Sequence, residues 1–115
     1  MITGMHAIVF SEKAEQVRAF FRDVLEFPHV DAGHGWLIFA LPPSELAVHP
    51  SEGEPHVELY LMCDDLQRTL AQLAEKGVEP AQPVRRERWG TVTAIALPDG
   101  AHVGLYQPSH PLPPR

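Results

Sequence analysis

From the N-terminus, apolar and polar positions first mark a run rich in Ile, Val and Phe at residues 5–10, whose loose alternation predicts a strand. Ser11 follows as a helix N-cap, and Glu12 and Glu15 place acid in the opening turns. Val17, Phe20, Phe21, Val24 and Leu25 then recur at helical spacing as one apolar stripe, and Pro28 ends that helix. A short strand within 28–33 precedes a turn where Gly33 and Gly35 flank His34. The apolar run 36–41 predicts a strand closed by Pro42 and Pro43, and residues 45–49 another, ended by Pro50.

The polar stretch 51–55 marks a boundary, after which the pattern starts again. Residues 56–62 predict a strand. Asp64 or Asp65 caps a helix that carries Leu66, Leu70, Leu73 and Ala74 on one face, and Gly77 stops it. Residues 83–89 predict a polar edge strand and 91–97 a strand of β-branched and small residues. Pro98-Asp99-Gly100 makes a turn into a last strand at 102–106. The proline-rich tail 108–115 is expected to be extended and to reach across a partner subunit.

The two halves align with each other. A shift of 52 sets His6 on Glu58, Phe10 on Met62, Ala14 on Leu66 and Phe21 on Leu73. A shift of 56 sets residues 38–42 on 94–98, and residues 46–49 fall on 103–106. The growing offset needs only small loop insertions. The expectation is an α+β fold: one domain, 1–115, of two βαβββ repeats at about 4–50 and 56–108.

Composition narrows the function classes. The chain has 115 residues, and 44% are hydrophobic, as in ordinary globular proteins. No apolar run is long enough to span a membrane. No secretory signal is visible, and the lone Cys63 fits a reducing compartment, so a cytoplasmic setting is expected. The net charge of -6 argues against nucleic acid. The one basic cluster, residues 85–88, reads as a solvated edge or as an anion-catching rim beside Trp89. His29, His34 and His110 stand in turn-like or proline-rich contexts and read as surface residues.

Three local signatures carry a resemblance: Leu61-Met62-Cys63-Asp64-Asp65-Leu66, Lys76-Gly77-Val78, and Leu97-Pro98-Asp99-Gly100 before the last strand. With the doubled βαβββ plan they resemble the vicinal oxygen chelate superfamily of glyoxalases, extradiol dioxygenases and bleomycin resistance proteins. The resemblance implies sheets curled round a central cup with the helices outside. It implies a small-molecule ligand and a homodimer.

Alternation along the strands then divides the side chains. Leu59, Leu61, Phe39 and Ile95 suit the helix-covered face. His6, Ile8, Phe10, Trp36, Ile38, Ala47, His49, Glu58, Tyr60, Met62, Gly104 and Tyr106 are left for the cup. The resemblance places metal-ligand positions at His6, Ala47, Glu58 and Gly104, of which two can bind a metal. His49 could complete a His6, His49 and Glu58 set for one divalent ion (Zn, Fe, Mn or Ni), with Glu58 the candidate catalytic group. The candidate ligand-binding residues are Trp36, Ile38, His49, Tyr60, Trp89 and Tyr106. No phosphate-binding glycine loop, cysteine pair or nucleophile elbow stands beside them.

Three readings stay open at this point. One is a metal-free protein that binds an organic molecule in an aromatic cup. The second is a metal-dependent lyase, isomerase or dioxygenase. The third is a structural dimer whose cup is filled by side chains.

Overall fold

The computed structural model describes residues 6–45, 47, 49, 53 and 57–111. The apolar stripe after Ser11 forms helix α1 (Ala14–Ala19), which widens into a π-helical turn at Phe20–Val24. Val17, Phe20 and Phe21 are the buried side of this helix. Its cap differs from expectation, because Lys13 occupies the N-cap position and makes no side-chain bond there. Ser11 Oγ accepts from the Lys13 N–H at 3.0 Å and donates to Asp99. The helix ends at Val24, ahead of Pro28, and Glu26 at φ 57° reverses the chain.

Strands β1 (His29–Asp31) and β2 (Leu37–Phe39) pair antiparallel, with Val30 opposite Ile38. Gly33, His34 and Gly35 all have positive φ in the turn between them, which explains both glycines. Among the described residues two expected strands are not found. Residues 6–10 are described as non-strand and exposed, while Met5 lies outside the described residues. Residues 45, 47 and 49 are likewise non-strand, and 46 and 48 lie outside the described residues. The physical reason is pairing: β-branched sequence makes a strand only beside a ladder, and β1 and β2 pair only with each other among the described residues.

The second half follows the expected plan closely. Strand β3 (Tyr60–Met62) leads into α2 (Leu66–Glu75), followed by β4 (Arg85–Glu87), β5 (Gly90–Ala96) and β6 (His102–Pro108). The sheet order is β3-β6-β5-β4, with β3 parallel to β6 and the other neighbours antiparallel. β3 is shorter than predicted: residues 57–59 are non-strand and His56 lies outside the described residues. Asp65 caps α2 by accepting the Arg68 N–H at 3.1 Å. Gly77, at φ 80°, lets the Val78 N–H reach back to the Leu73 carbonyl at 2.9 Å.

One core joins both halves. Val17, Phe20 and Phe21 pack in a single cluster with Leu66, Leu73, Ile95, Leu97, Val103 and Leu105. Each such side chain contributes about 1.5–3 kcal/mol on burial. The exposed ion pairs Arg22–Asp23 and Arg85–Glu87 are screened by solvent and add little, so packing decides the fold. Lys76 Nζ ties the two helix ends together, donating to the Val24 carbonyl at 2.7 Å and to Glu26 at 2.9 Å. Among the described residues no helix is long and apolar enough to cross a membrane.

Candidate functional site

Side-chain alternation splits the four-stranded sheet into two faces. Leu61, Leu105, Val103 and Ile95 belong to the core on the side of α2. Tyr60, Met62, Gly104, Tyr106, Val92 and Ala94 share the other face by register, since Tyr60 pairs with Gly104, Met62 with Tyr106, Val92 with Tyr106 and Ala94 with Gly104. The two residues between β4 and β5, Arg88 and Trp89, turn the chain so that Trp89 meets this face at the sheet's edge.

Two glycines make the arrangement possible. A Cβ on Gly90 would lie 2.5 Å from the Gln107 carbonyl oxygen, so only glycine lets β5 approach β6 there. A Cβ on Gly104 would collide with the ring of Tyr60, its Cγ 2.8 Å away. Gly104 is therefore the bed on which Tyr60 lies.

Three aromatic rings meet nearly at right angles. Tyr60 and Trp89 are 6.2 Å apart at 83°, Tyr60 and Tyr106 5.8 Å at 88°, and Trp89 and Tyr106 5.4 Å at 74°. Edge-to-face pairs of this kind contribute about 0.5–1.5 kcal/mol beyond burial. Each tyrosine also has a carboxylate. Tyr60 donates to Glu58 Oε1 at 3.0 Å, and Tyr106 donates to Glu45 Oε1 at 3.3 Å. Burial, reinforced by Glu58, pushes the Tyr60 phenol up from its ordinary value. Burial followed by the charge of Glu45 does the same to Tyr106. Both phenols are held as neutral donors.

Tyr106 has a second polar neighbour. The tail beyond β6 folds back, with the Ser109 N–H on the Trp89 carbonyl at 2.9 Å and Ser109 Oγ on the Arg88 carbonyl at 3.1 Å. His110 thereby lies against Tyr106, ring centroids 6.1 Å apart, with Nε2 3.5 Å from Glu45 Oε1.

The structure thus brings together Tyr60, Trp89, Tyr106 and Glu58 among the residues the sequence singled out. Trp36 lies elsewhere: it closes the β1–β2 turn, and the Arg18 guanidinium stands 5.3 Å over its ring. Ile38 faces away from the core beside Val30, in a groove of about 310 Å³ lined also by Pro28 and His29. His6 and His49 are exposed.

Two site residues escaped the sequence reading. Nothing in the sequence marks Glu45, which the pattern places in a strand, and the prolines around His110 give it the look of a surface residue. The only available signal was that Pro108 and Pro111 bracket Ser109-His110, a spacing that can turn a chain back on itself.

The expected metal set does not assemble. Among the described residues no group of three His, Cys, Asp or Glu side chains could hold a metal ion. Ala47 and Gly104 offer no side-chain donor, and the Tyr60 ring covers Gly104. The residues present do not fit the ion the resemblance implies. Cys63 is half-buried with Sγ 3.5 Å from the Tyr106 carbonyl, and burial pushes its thiol up, which disfavours the thiolate.

No protein-family model and no curated protein matches the sequence. Solved structures do match. The antibiotic-binding protein TnmS3 of Streptomyces sp. CB03234 is 25% identical, with a TM-score of 0.63 over 95% of this chain and 100% of that one. A glyoxalase/bleomycin resistance protein of the same Streptomyces is 25% identical, at TM-score 0.57 over 84% of this chain and 92% of the other. A member of the glyoxalase/bleomycin resistance protein/dioxygenase superfamily from Sphaerobacter thermophilus is 20% identical, at TM-score 0.65 over 92% and 98%. With the α2-covered sheet, these likenesses give the chain the vicinal oxygen chelate fold of the glyoxalase and bleomycin resistance superfamily.

Proposed function

We propose that this protein binds a small organic molecule by stacking it on the aromatic corner of Tyr60, Trp89 and Tyr106, without a bound metal. The observation that carries this reading is the corner itself: three mutually perpendicular rings, two of them hydrogen-bonded to carboxylates. Rings fixed by their neighbours lose little freedom on binding, which is what a stacking site requires. The likeness to an antibiotic-binding protein at full length supports a sequestering role over turnover.

The partner proposed for this protein is a second copy of itself. Ile8, Phe10, Val30, Ile38 and Val57 are large apolar side chains left exposed, Val57 at 96%. Apolar exposure on that scale is what a homodimer covers. The expected cytoplasmic setting stays part of the reading, supported by the single, half-buried cysteine.

The test is a thermal-shift screen against planar aromatic compounds, with and without a chelator. Stabilisation by a stacked ligand should persist in the chelator and fall by about fivefold or more in apparent affinity for Trp89→Ala, since losing a stacking partner costs about 1–3 kcal/mol. Stabilisation by divalent metal alone, with no response to any aromatic compound, would overturn the reading.

A further inference from the structure

We propose that the α2 side of the sheet carries a second binding site, for a small oxyanion (a phosphate or a carboxylate), held by Arg86, Thr91 and Gln107. Register places these residues together. Thr91 stands directly opposite Arg86 on one neighbouring strand and directly opposite Gln107 on the other. Opposed residues project to the same face with Cα atoms about 4.5–5.5 Å apart, so a guanidinium, a hydroxyl and a primary amide form one row across β4, β5 and β6. This face is the reverse of the aromatic corner, because Val92 and Tyr106 occupy the alternate positions. The row borders an open groove of about 320 Å³, lined also by Glu87, Gly90 and Ser109.

All three groups of the row have hydrogens to give. Gln107 faces the Leu66 N–H at 2.9 Å, and a backbone N–H can only donate, so the atom turned to α2 is the amide oxygen and the NH2 group is the other one. Among the described residues neither that NH2 group, the Thr91 hydroxyl nor the Arg86 guanidinium has a protein acceptor. The remaining polar groups are already engaged. Ser109 Oγ donates to the Arg88 carbonyl at 3.1 Å, and Glu87, the carboxylate on the groove, is held by Arg85 Nε at 2.9 Å. Asp65, at the start of α2, is turned to the Arg68 N–H.

A row of donors with no acceptor of its own selects an anion. The guanidinium fork matches two oxygens of a phosphate or a carboxylate, and the hydroxyl and amide supply further hydrogens from the strands beside it. Residues 85–88 set three arginines against one glutamate in a chain whose net charge is -6, which makes this rim a basic spot on an acidic molecule. The anion-catching rim suggested by the sequence is thereby narrowed to Arg86, on the face away from the Trp89 ring. The site is separate from the aromatic corner and does not depend on a ligand binding there.

Backbone-amide NMR titrations with inorganic phosphate and with acetate, at constant ionic strength and with chloride as the reference, test this. The expected result is a saturable shift of the Gly90, Thr91 and Gln107 amides with an oxyanion and none with chloride; saturation by only one of the two would name the class. All three side chains of the row lie outside the core, so their variants should fold, with the α2 amides in place. Arg86→Gln and Thr91→Val should each weaken binding about tenfold or more. Gln107→Glu keeps the oxygen that accepts the Leu66 N–H but replaces the donor with a second acceptor, and should abolish saturation. Arg88→Gln, outside the groove, should change the affinity by less than about threefold. Shifts that follow chloride without saturating would overturn the proposal. So would saturation that survives both Arg86→Gln and Gln107→Glu, or that is lost as fully in Arg88→Gln.

Discussion

The ring of Tyr60 rests on Gly104 of the neighbouring parallel strand, so closely that no side chain fits beneath it. The absence of a side chain at 104 therefore sets the position of one wall of the aromatic corner. Gly104→Ala must displace Tyr60 or bend β6. It should lower stability by about 1–3 kcal/mol, as overpacking does, and disturb the Trp89 emission. Denaturant unfolding with fluorescence detection measures both at once. Unchanged values would mean that the ring moves aside at no cost.

Both tyrosines of the corner should titrate above the ordinary value of about 10, Tyr60 through burial and then Glu58, Tyr106 through burial and then Glu45. Their folded-state values are raised, so the stability they contribute is complete below about pH 10 and lost as pH rises through the folded values. Ultraviolet titration of the phenolates tests this. Glu58→Gln should bring one of the two transitions downward and leave the other in place.

Asp99 has the opposite sign. The hydrogen bond from Ser11, with the Ala101 N–H behind it, holds its carboxyl below the usual range. Its contribution is present above about pH 3.9 and fades as pH falls through the folded value. In Ser11→Ala the Asp99 carboxyl should titrate higher, read by NMR of the side-chain carbon. No change would show that the backbone N–H alone sets it.

The Asp65 cap should be worth about 1 kcal/mol, so Asp65→Ala is expected to lower the free energy of unfolding by that amount without altering the sheet. Asp65→Asn, which keeps the accepting oxygen, should be nearly neutral. A large loss with Asn as well would assign Asp65 a role other than capping.

The second half of the molecule was legible because its signals were local. Asp65, Gly77 and Asp99-Gly100 each fix one dihedral or one hydrogen bond, and each stands where the spacing put it. Period-two alternation also assigned the faces of β3, β5 and β6 correctly, which brought Tyr60 and Tyr106 to one side. The first half was less legible. Residues 6–10 have strand-forming composition, but composition cannot supply a pairing partner. Trp36 has the same phase as Ile38, yet it sits in a turn, where alternation no longer applies and a passing Arg18 takes its face. Glu45 and His110 are joined across 65 positions, and no local pattern announces a contact of that range.

The shared interior has one more consequence. Among the described residues Val17, Phe20 and Phe21 find only partly buried cover in their own half, from Val24, Leu25, Phe27 and Phe39, and their buried partners, Leu66 to Leu105, arrive more than 40 positions later in the chain. Cut between the halves, neither fragment could shield its own oily surface, and each would clump or seek the other. Such an interdependence means that the N-terminal portion, on leaving the ribosome, must wait for nearly the entire polypeptide before it can settle.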